Sequence, residues 1–138
     1  TALSMVEGEP LVWAGQTALK FYGRTGVDEH YNGLALDERE GDRIAATLGD
    51  NDILFMKNHG VMVCAPNIAE AWDDLYYLER AAEVQLKAMS TGRRLLAVPA
   101  AIASAAARQM REGDPESARM HLESIRRVLD REATDYRS

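Results

Sequence analysis

Ile53-Leu54-Phe55-Met56-Lys57-Asn58-His59-Gly60-Val61-Met62-Val63-Cys64 is the stretch whose reading decides the fold. The runs Ile53–Met56 and Val61–Cys64 are almost continuously apolar, the pattern of strands covered on both faces. Lys57-Asn58-His59-Gly60 lies between them. Asparagine and glycine accept positive φ at little cost, so the stretch predicts two antiparallel strands joined by a tight turn, with a histidine held on the turn.

Working downstream, Asn67 is placed to cap a helix after Pro66, and Glu70 follows at the capping-box spacing. Ile68, Ala71, Trp72, Leu75, Leu78, Ala82, Leu86 and Met89 recur at three- and four-residue steps and predict one long apolar stripe, closed by Gly92. The stripe is longer than two short strands require, which predicts that part of it covers a neighbouring subunit. Beyond it, the sequence predicts an alanine-rich helix from Pro99 to Glu112 and a second helix capped by Asp114 with Pro115 in its first position. Ala118, Leu122, Ile125 and Val128/Leu129 form the apolar face of that second helix, with Arg119, Arg126, Arg127 and Arg131 mostly opposite.

Upstream, Asp37 to Leu48 reads as a helix capped by Asp37, with Glu40 three residues on, Ile44, Ala45 and Leu48 on one face, and Gly49 as its stop. Tyr31-Asn32-Gly33 signals a turn, and Leu34-Ala35-Leu36 after it is a strand candidate. Gln16 to Tyr22 predicts a short helix ending at Gly23, and Leu11-Val12-Trp13 a short strand. No internal repeat or low-complexity linker interrupts the chain.

Composition bounds the function. With 138 residues the chain is one domain or part of one, and its 46% hydrophobic and 28% charged residues are ordinary for a globular protein. A net charge of −6 argues against a nucleic-acid surface, which needs clustered cations, but leaves an anionic small molecule open. The single cysteine, Cys64, cannot form an internal disulfide, so a cytoplasmic location is expected. No apolar run approaches the roughly 18 residues that span a bilayer, so no membrane partner is expected. Thr1-Ala2-Leu3-Ser4-Met5 lacks the features of a signal peptide and reads as the middle of an element.

His59 is the leading candidate for chemistry, because a neutral imidazole on a rigid turn is a good ligand for zinc and related ions. From the residues alone the turn is also open to a purely structural reading, in which the histidine caps a backbone group. A catalytic zinc takes three protein ligands as a rule. The chain has three histidines in all, with no His-x-His or His-x-x-x-His pair. His30 reads as a solvated loop residue, His121 as a packing residue of the last helix, and Cys64 as an inert core thiol. Asp73, Asp74 and Glu79 read as solvated or paired helical acids, with Glu79 paired to Arg80 or Lys87. Tyr76 and Tyr77 are expected to straddle core and interface. Lys57 reads as solvated, and Arg93-Arg94 as charges complementing a helix end. Ser4, Ser90 and Thr91 have no base beside them. There is no phosphate-binding glycine loop and no nucleophile elbow.

Gly41-Asp-Arg-Ile-Ala-Ala-Thr-Leu-Gly49, Ile53-Leu-Phe-Met-Lys-Asn-His-Gly-Val-Met-Val63, Ile68-Ala-Glu-Ala-Trp72 and Tyr77-Leu-Glu-Arg-Ala-Ala82, in this order and spacing, resemble the class II aldolase/adducin family over about residues 1–92. Thr1-Ala2-Leu3 resembles the segment just after that family's His-x-His motif, and residues 93–138 resemble the helical C-terminal extension of a longer bacterial subgroup. The resemblance implies an α/β fold: a three-layer α/β/α sandwich around a mainly antiparallel sheet, here N-terminally incomplete, with the extension packed on the same domain. It implies a homo-oligomer, commonly a tetramer. It also implies a divalent ion, most often zinc, held by three histidines, of which only the histidine of Asn-His-Gly matches this chain, at His59. In such enzymes the metal polarises a carbonyl and stabilises an enediolate while a carbon–carbon bond breaks or forms.

The pair of upstream histidines, the acid/base and the phosphate loops have no counterpart in this sequence, and the simplest account is a fragment. Three readings follow. The first is a metal-dependent lyase or epimerase acting on a small hydroxy-carbonyl or sugar-phosphate substrate. The second is an adducin-like interaction module without the chemistry. The third is an inactive fragment that folds only by oligomerising. Tyr136 and the last helix's arginines are candidates to reach a neighbour's site, though a surface role is the simpler reading.

Overall fold

The computed structural model describes residues 1–34, 36–133 and 135. A 3-10 turn, Ala2–Met5, leads through a loop into α1 (Gln16–Leu19). Then follow β1 (Thr25–Asp28), α2 (Glu38–Leu48), β2 (Ile53–Met56), β3 (Gly60–Val63), α3 (Ile68–Met89) and α4 (Ala100–Glu132). The sheet order is β1-β2-β3. β2 and β3 pair antiparallel, with Met56 opposite Gly60, as the apolar runs predict. β1 joins β2 in parallel, with Val27 opposite Phe55 and Asp28 opposite Met56.

Successive residues of β2 serve opposite faces of the sheet. Ile53 and Phe55 join Leu78, Ala81 and Ala82 of α3 in the main core, with Leu3, Leu11, Ala18 and Phe21. Leu54 is equally buried but belongs to the other face, where its Cδ1 lies by Gly26 beneath α2. A Cβ on Gly26 would stand 3.2 Å from Leu54 Cδ1 and 3.3 Å from Asn51 Nδ2, so glycine is what lets β1 lie against this layer. The fold is thus α/β, with helices on both faces of the sheet.

β1 is the strand that sequence patterning misses. Thr25-Gly26-Val27-Asp28 has weak β propensity, and the pairing with buried β2 supplies what local preference lacks. The strands expected at Leu11-Val12-Trp13 and at Leu34-Ala35-Leu36 are not found. The former is loop, with Val12 N–H donating to Gln85 Oε1 at 2.7 Å instead of to a neighbouring strand. Leu34 and Leu36 are exposed loop residues, and Ala35 lies outside the described residues.

α2 and α3 start where their caps predict: Asp37 Oδ1 accepts from Glu40 N–H at 2.9 Å and Asn67 Oδ1 accepts from Glu70 N–H at 3.0 Å. The buried face of α3 keeps only part of the predicted stripe: Leu78 and Ala82 lie in the core and Leu86 packs against it. The buried face runs through Asp73, Asp74, Leu78, Ala81, Ala82 and Gln85, while Ile68, Leu75 and Met89 are exposed. Ion pairs and hydrogen bonds to α1, α4 and the N-terminal loop turn polar residues inward, an arrangement hydrophobic periodicity does not register.

α4 also corrects an expectation. Residues 100–132 form one helix, with Pro115 inside it. Asp114 does not cap a second helix: its Oδ1 lies 2.7 Å from Lys20 Nζ. Proline within a helix removes one backbone hydrogen bond and crowds the preceding turn. Here the helix is held on both sides of it by packing of Ala103, Ala107 and Ala118 and by the Lys20 contact.

Candidate functional site

The turn between β2 and β3 is fixed by its own backbone and by Ser4, Val6, Gly8 and Asp28. Asn58 is the one non-glycine residue with positive φ among the described residues, at 58°, and Gly60 follows at φ 148°. His59 N–H closes the turn on Met56 O at 3.1 Å. From outside, Lys57 N–H donates to Asp28 O at 2.9 Å, and Asn58 N–H donates to Ser4 O at 3.0 Å. Lys57 Nζ donates to Val6 O at 2.7 Å and also to Gly8 O. Lys57, read from the sequence as solvated, is only 7% exposed. Its burial is explained by the two carbonyl oxygens that receive its ammonium, as a buried charge requires.

Asp28 supports the same turn from beneath. Its carboxylate is buried and receives both arms of Arg43, Nη1 to Oδ1 at 2.7 Å and Nη2 to Oδ2 at 2.8 Å, plus His30 N–H at 3.1 Å. The Arg43 guanidinium holds the Asp28 carboxyl below the usual aspartate range, against the opposing effect of burial. Arg43 also pairs with Glu40 at 2.7 Å, so the start of α2 is tied to the end of β1.

On this platform His59 is exposed. The Tyr31 ring meets it edge-on, with centroids 6.4 Å apart. The arrangement presents an exposed imidazole on a turn whose backbone is pinned. His59 is not joined by His30 or His121. His30 is a solvated loop residue beside Asp28, as expected. His121 sits among Trp72, Tyr76 and Tyr77, and its Nδ1 lies 2.7 Å from Asp73 Oδ1. Cys64 is exposed just past β3, correcting the expectation of a core thiol. Among the described residues no group of three His, Cys, Asp or Glu side chains is placed to hold a metal ion. A complete metal centre does not fit these residues; His59 offers a single donor.

The other candidates are structural. Arg80 and Lys87, the partners expected for Glu79, pair with Glu83 instead. Ser90 and Thr91 hydroxyls cap the end of α3 through Lys87 O and Ala88 O. The Ser4 hydroxyl donates to Thr1 O at 3.0 Å. Arg93 and Arg94 are exposed, and Tyr136 lies outside the described residues. Asp73 and Asp74 take the paired alternative. Lys20 Nζ lies 3.3 Å from Asp73 Oδ2 and 3.2 Å from Asp74 Oδ1, and Arg24 bridges Asp74 and Asp52 at 2.6 and 2.7 Å. Burial lowers the Lys20 pKa, but Asp114 and Asp74 outweigh it, and the net shift is upward.

The comparisons with known proteins agree with this geometry. The family described as class II aldolase and adducin N-terminal domain matches residues 1–86. A protein of Caulobacter vibrioides named as aldolase class 2 is 35% identical over 107 residues, covering 77% of this chain and 42% of that protein. The crystal structure of an aldolase II superfamily protein from Pseudomonas syringae superposes with TM-score 0.87 at 31% identity, covering 99% of this chain and 55% of that one. An L-fuculose 1-phosphate aldolase from Glaciozyma antarctica shares the fold, with TM-score 0.78 at 20% identity over 95% of this chain and 49% of that chain. The chain thus spans less than half the length of the curated relative.

Proposed function

Because the chain belongs to the class II aldolase and adducin family, we propose that it is part of a metal-dependent lyase acting on a small hydroxy-carbonyl or sugar-phosphate substrate, with His59 as one protein ligand of a divalent ion. The observation that carries this reading is the turn itself: an exposed imidazole on a backbone pinned by Ser4, Asp28 and the Lys57 ammonium. Zinc is the ion we assign first, since imidazole nitrogen is among its common ligands. The curated relative is more than twice as long as the matched stretch, so we assign the remaining ligands, the acid/base and the substrate-recognition groups to polypeptide outside these 138 residues.

The same reading makes residues 1–92 the C-terminal part of the family domain and residues 93–138 a helical extension, in a cytoplasmic homo-oligomer, a tetramer by resemblance. No helix among the described residues is long and apolar enough to cross a membrane. Ile68, Leu75 and Tyr76, exposed along α3, support a subunit contact. An adducin-like interaction module is the second reading, since the family whose model matches residues 1–86 includes adducin.

One experiment separates the two. The protein encoded by the whole reading frame is assayed for metal content and for carbon–carbon cleavage of a panel of hydroxy-carbonyl compounds and sugar phosphates. Bound divalent metal with turnover supports the lyase; a metal-free, inert oligomer supports the module. A coding sequence lacking a His-x-His pair shortly before Thr1 would sink the lyase reading.

A further inference from the structure

The N-terminal loop and the histidine turn are far apart in sequence, yet they share one buried cation. Lys57 immediately precedes Asn58-His59, and its ammonium reaches back to Val6 O and Gly8 O. Its own amide is bound to β1 through Asp28 O, and the next amide is bound to Ser4 O. Lys57 is 7% exposed, and a buried ammonium that donates to two backbone carbonyls is a strap, not a surface charge. Removing the head leaves two carbonyls without this donor and releases residues 6–8 from the turn.

We propose that Lys57 is a positioning residue for His59: it locks residues 4–8 to the turn, so that the first segment of the chain and the imidazole move as one body. This rests on the reading of His59 as the functional side chain and adds the residue that sets its position. Gln85 is the natural comparison. It is also buried and also grips the N-terminal loop, through Pro10 O at 2.8 Å and Val12 N–H at 2.7 Å, but without contact to the turn.

The test follows amide exchange and the His59 ring resonances by NMR in the wild type, Lys57→Met, Lys57→Arg and Gln85→Leu. In Lys57→Met the Asn58 amide should exchange about tenfold faster or more, and the His59 ring signals should shift or broaden, while the β2 ladder amides stay protected. Lys57→Arg, which keeps the charge and the donors, should restore the wild-type pattern. Gln85→Leu should loosen residues 10–12 and leave Asn58 and the His59 ring unchanged. Unaltered Asn58 exchange in Lys57→Met, or the same change in Gln85→Leu, overturns the proposal. Should Lys57→Met fail to fold, Lys57→Gln, which keeps one donor, is read the same way: a partial change is expected, and no change overturns it. Metal does not enter the measurement, so its failure is separate from failure of the ligand assignment.

Discussion

The amide of Asn58 donates to the carbonyl oxygen of Ser4 at 3.0 Å, and this bond joins the start of the chain to the turn that carries His59. Asn58 itself stands in the left-handed region, at φ 58°. Asparagine tolerates that region and alanine does not, at a cost of about 1–2 kcal/mol. Asn58→Ala should therefore lower stability by about that amount in denaturant titration, and Asn58→Gly should be close to neutral. Equal losses in both would show that the side chain, not the backbone angle, is what matters.

Lys20 is shared by Asp73, Asp74 and Asp114, from two helices. Lys20→Met leaves three carboxylates facing one another with one partner fewer and should cost about 3–5 kcal/mol in chemical unfolding. Because the folded-state pKa of Lys20 is raised, its contribution is fully present below the unfolded value of about 10.4 and is lost as pH rises through the folded value. The variant should thus show a flatter stability profile than the wild type above pH 10. A loss under 1 kcal/mol would mean the network adds no more than a surface pair, about 0–1 kcal/mol.

Asp28 has the opposite sign. Its folded-state pKa is depressed by Arg43, so its contribution is present above the unfolded value of about 3.9 and disappears as pH falls through the folded value. Asp28→Asn should be less stable than the wild type at neutral pH, and the two melting temperatures should converge on acidification. Parallel curves down to pH 2 would contradict the bidentate pairing as its source.

Much of the fold is legible in residues 37–92. The apolar runs, the Asn-His-Gly turn and the two Asx caps are local signals, and local chemistry decides them. What escaped was set by distant partners. β1 exists because β2 needs a neighbour, and Gly26 looks like a strand breaker until Leu54 is seen beside it. The polar part of the inward face of α3 is set by partners 48 or more residues away: Lys20, Arg24, His121 and the Pro10–Val12 loop hold Asp73, Asp74 and Gln85. At the site, the sequence offered His59 but not its supports, since a lysine before Asn-His-Gly carries no sign that its ammonium is buried.

Pro115 illustrates the same limit, since proline after Asp114 marks the first position of a new helix by local rules, and α4 runs through it. Pro115→Ala restores an N–H donor within the helix and should stabilise the protein by about 1–3 kcal/mol, read as a rise in Tm. A fall in Tm would show that the proline is needed where it stands, for the direction of α4 or for the Lys20–Asp114 contact.

Under the lyase reading, His59 is a metal ligand of the protein encoded by the whole reading frame. The most direct measurement is metal stoichiometry, by elemental analysis after dialysis, of the protein from the whole reading frame as wild type, His59→Ala and His121→Ala. The account predicts about one divalent ion per chain in the wild type and in His121→Ala, and almost none in His59→Ala, because one of three protein ligands is gone. Undiminished metal in a folded His59→Ala protein would contradict it.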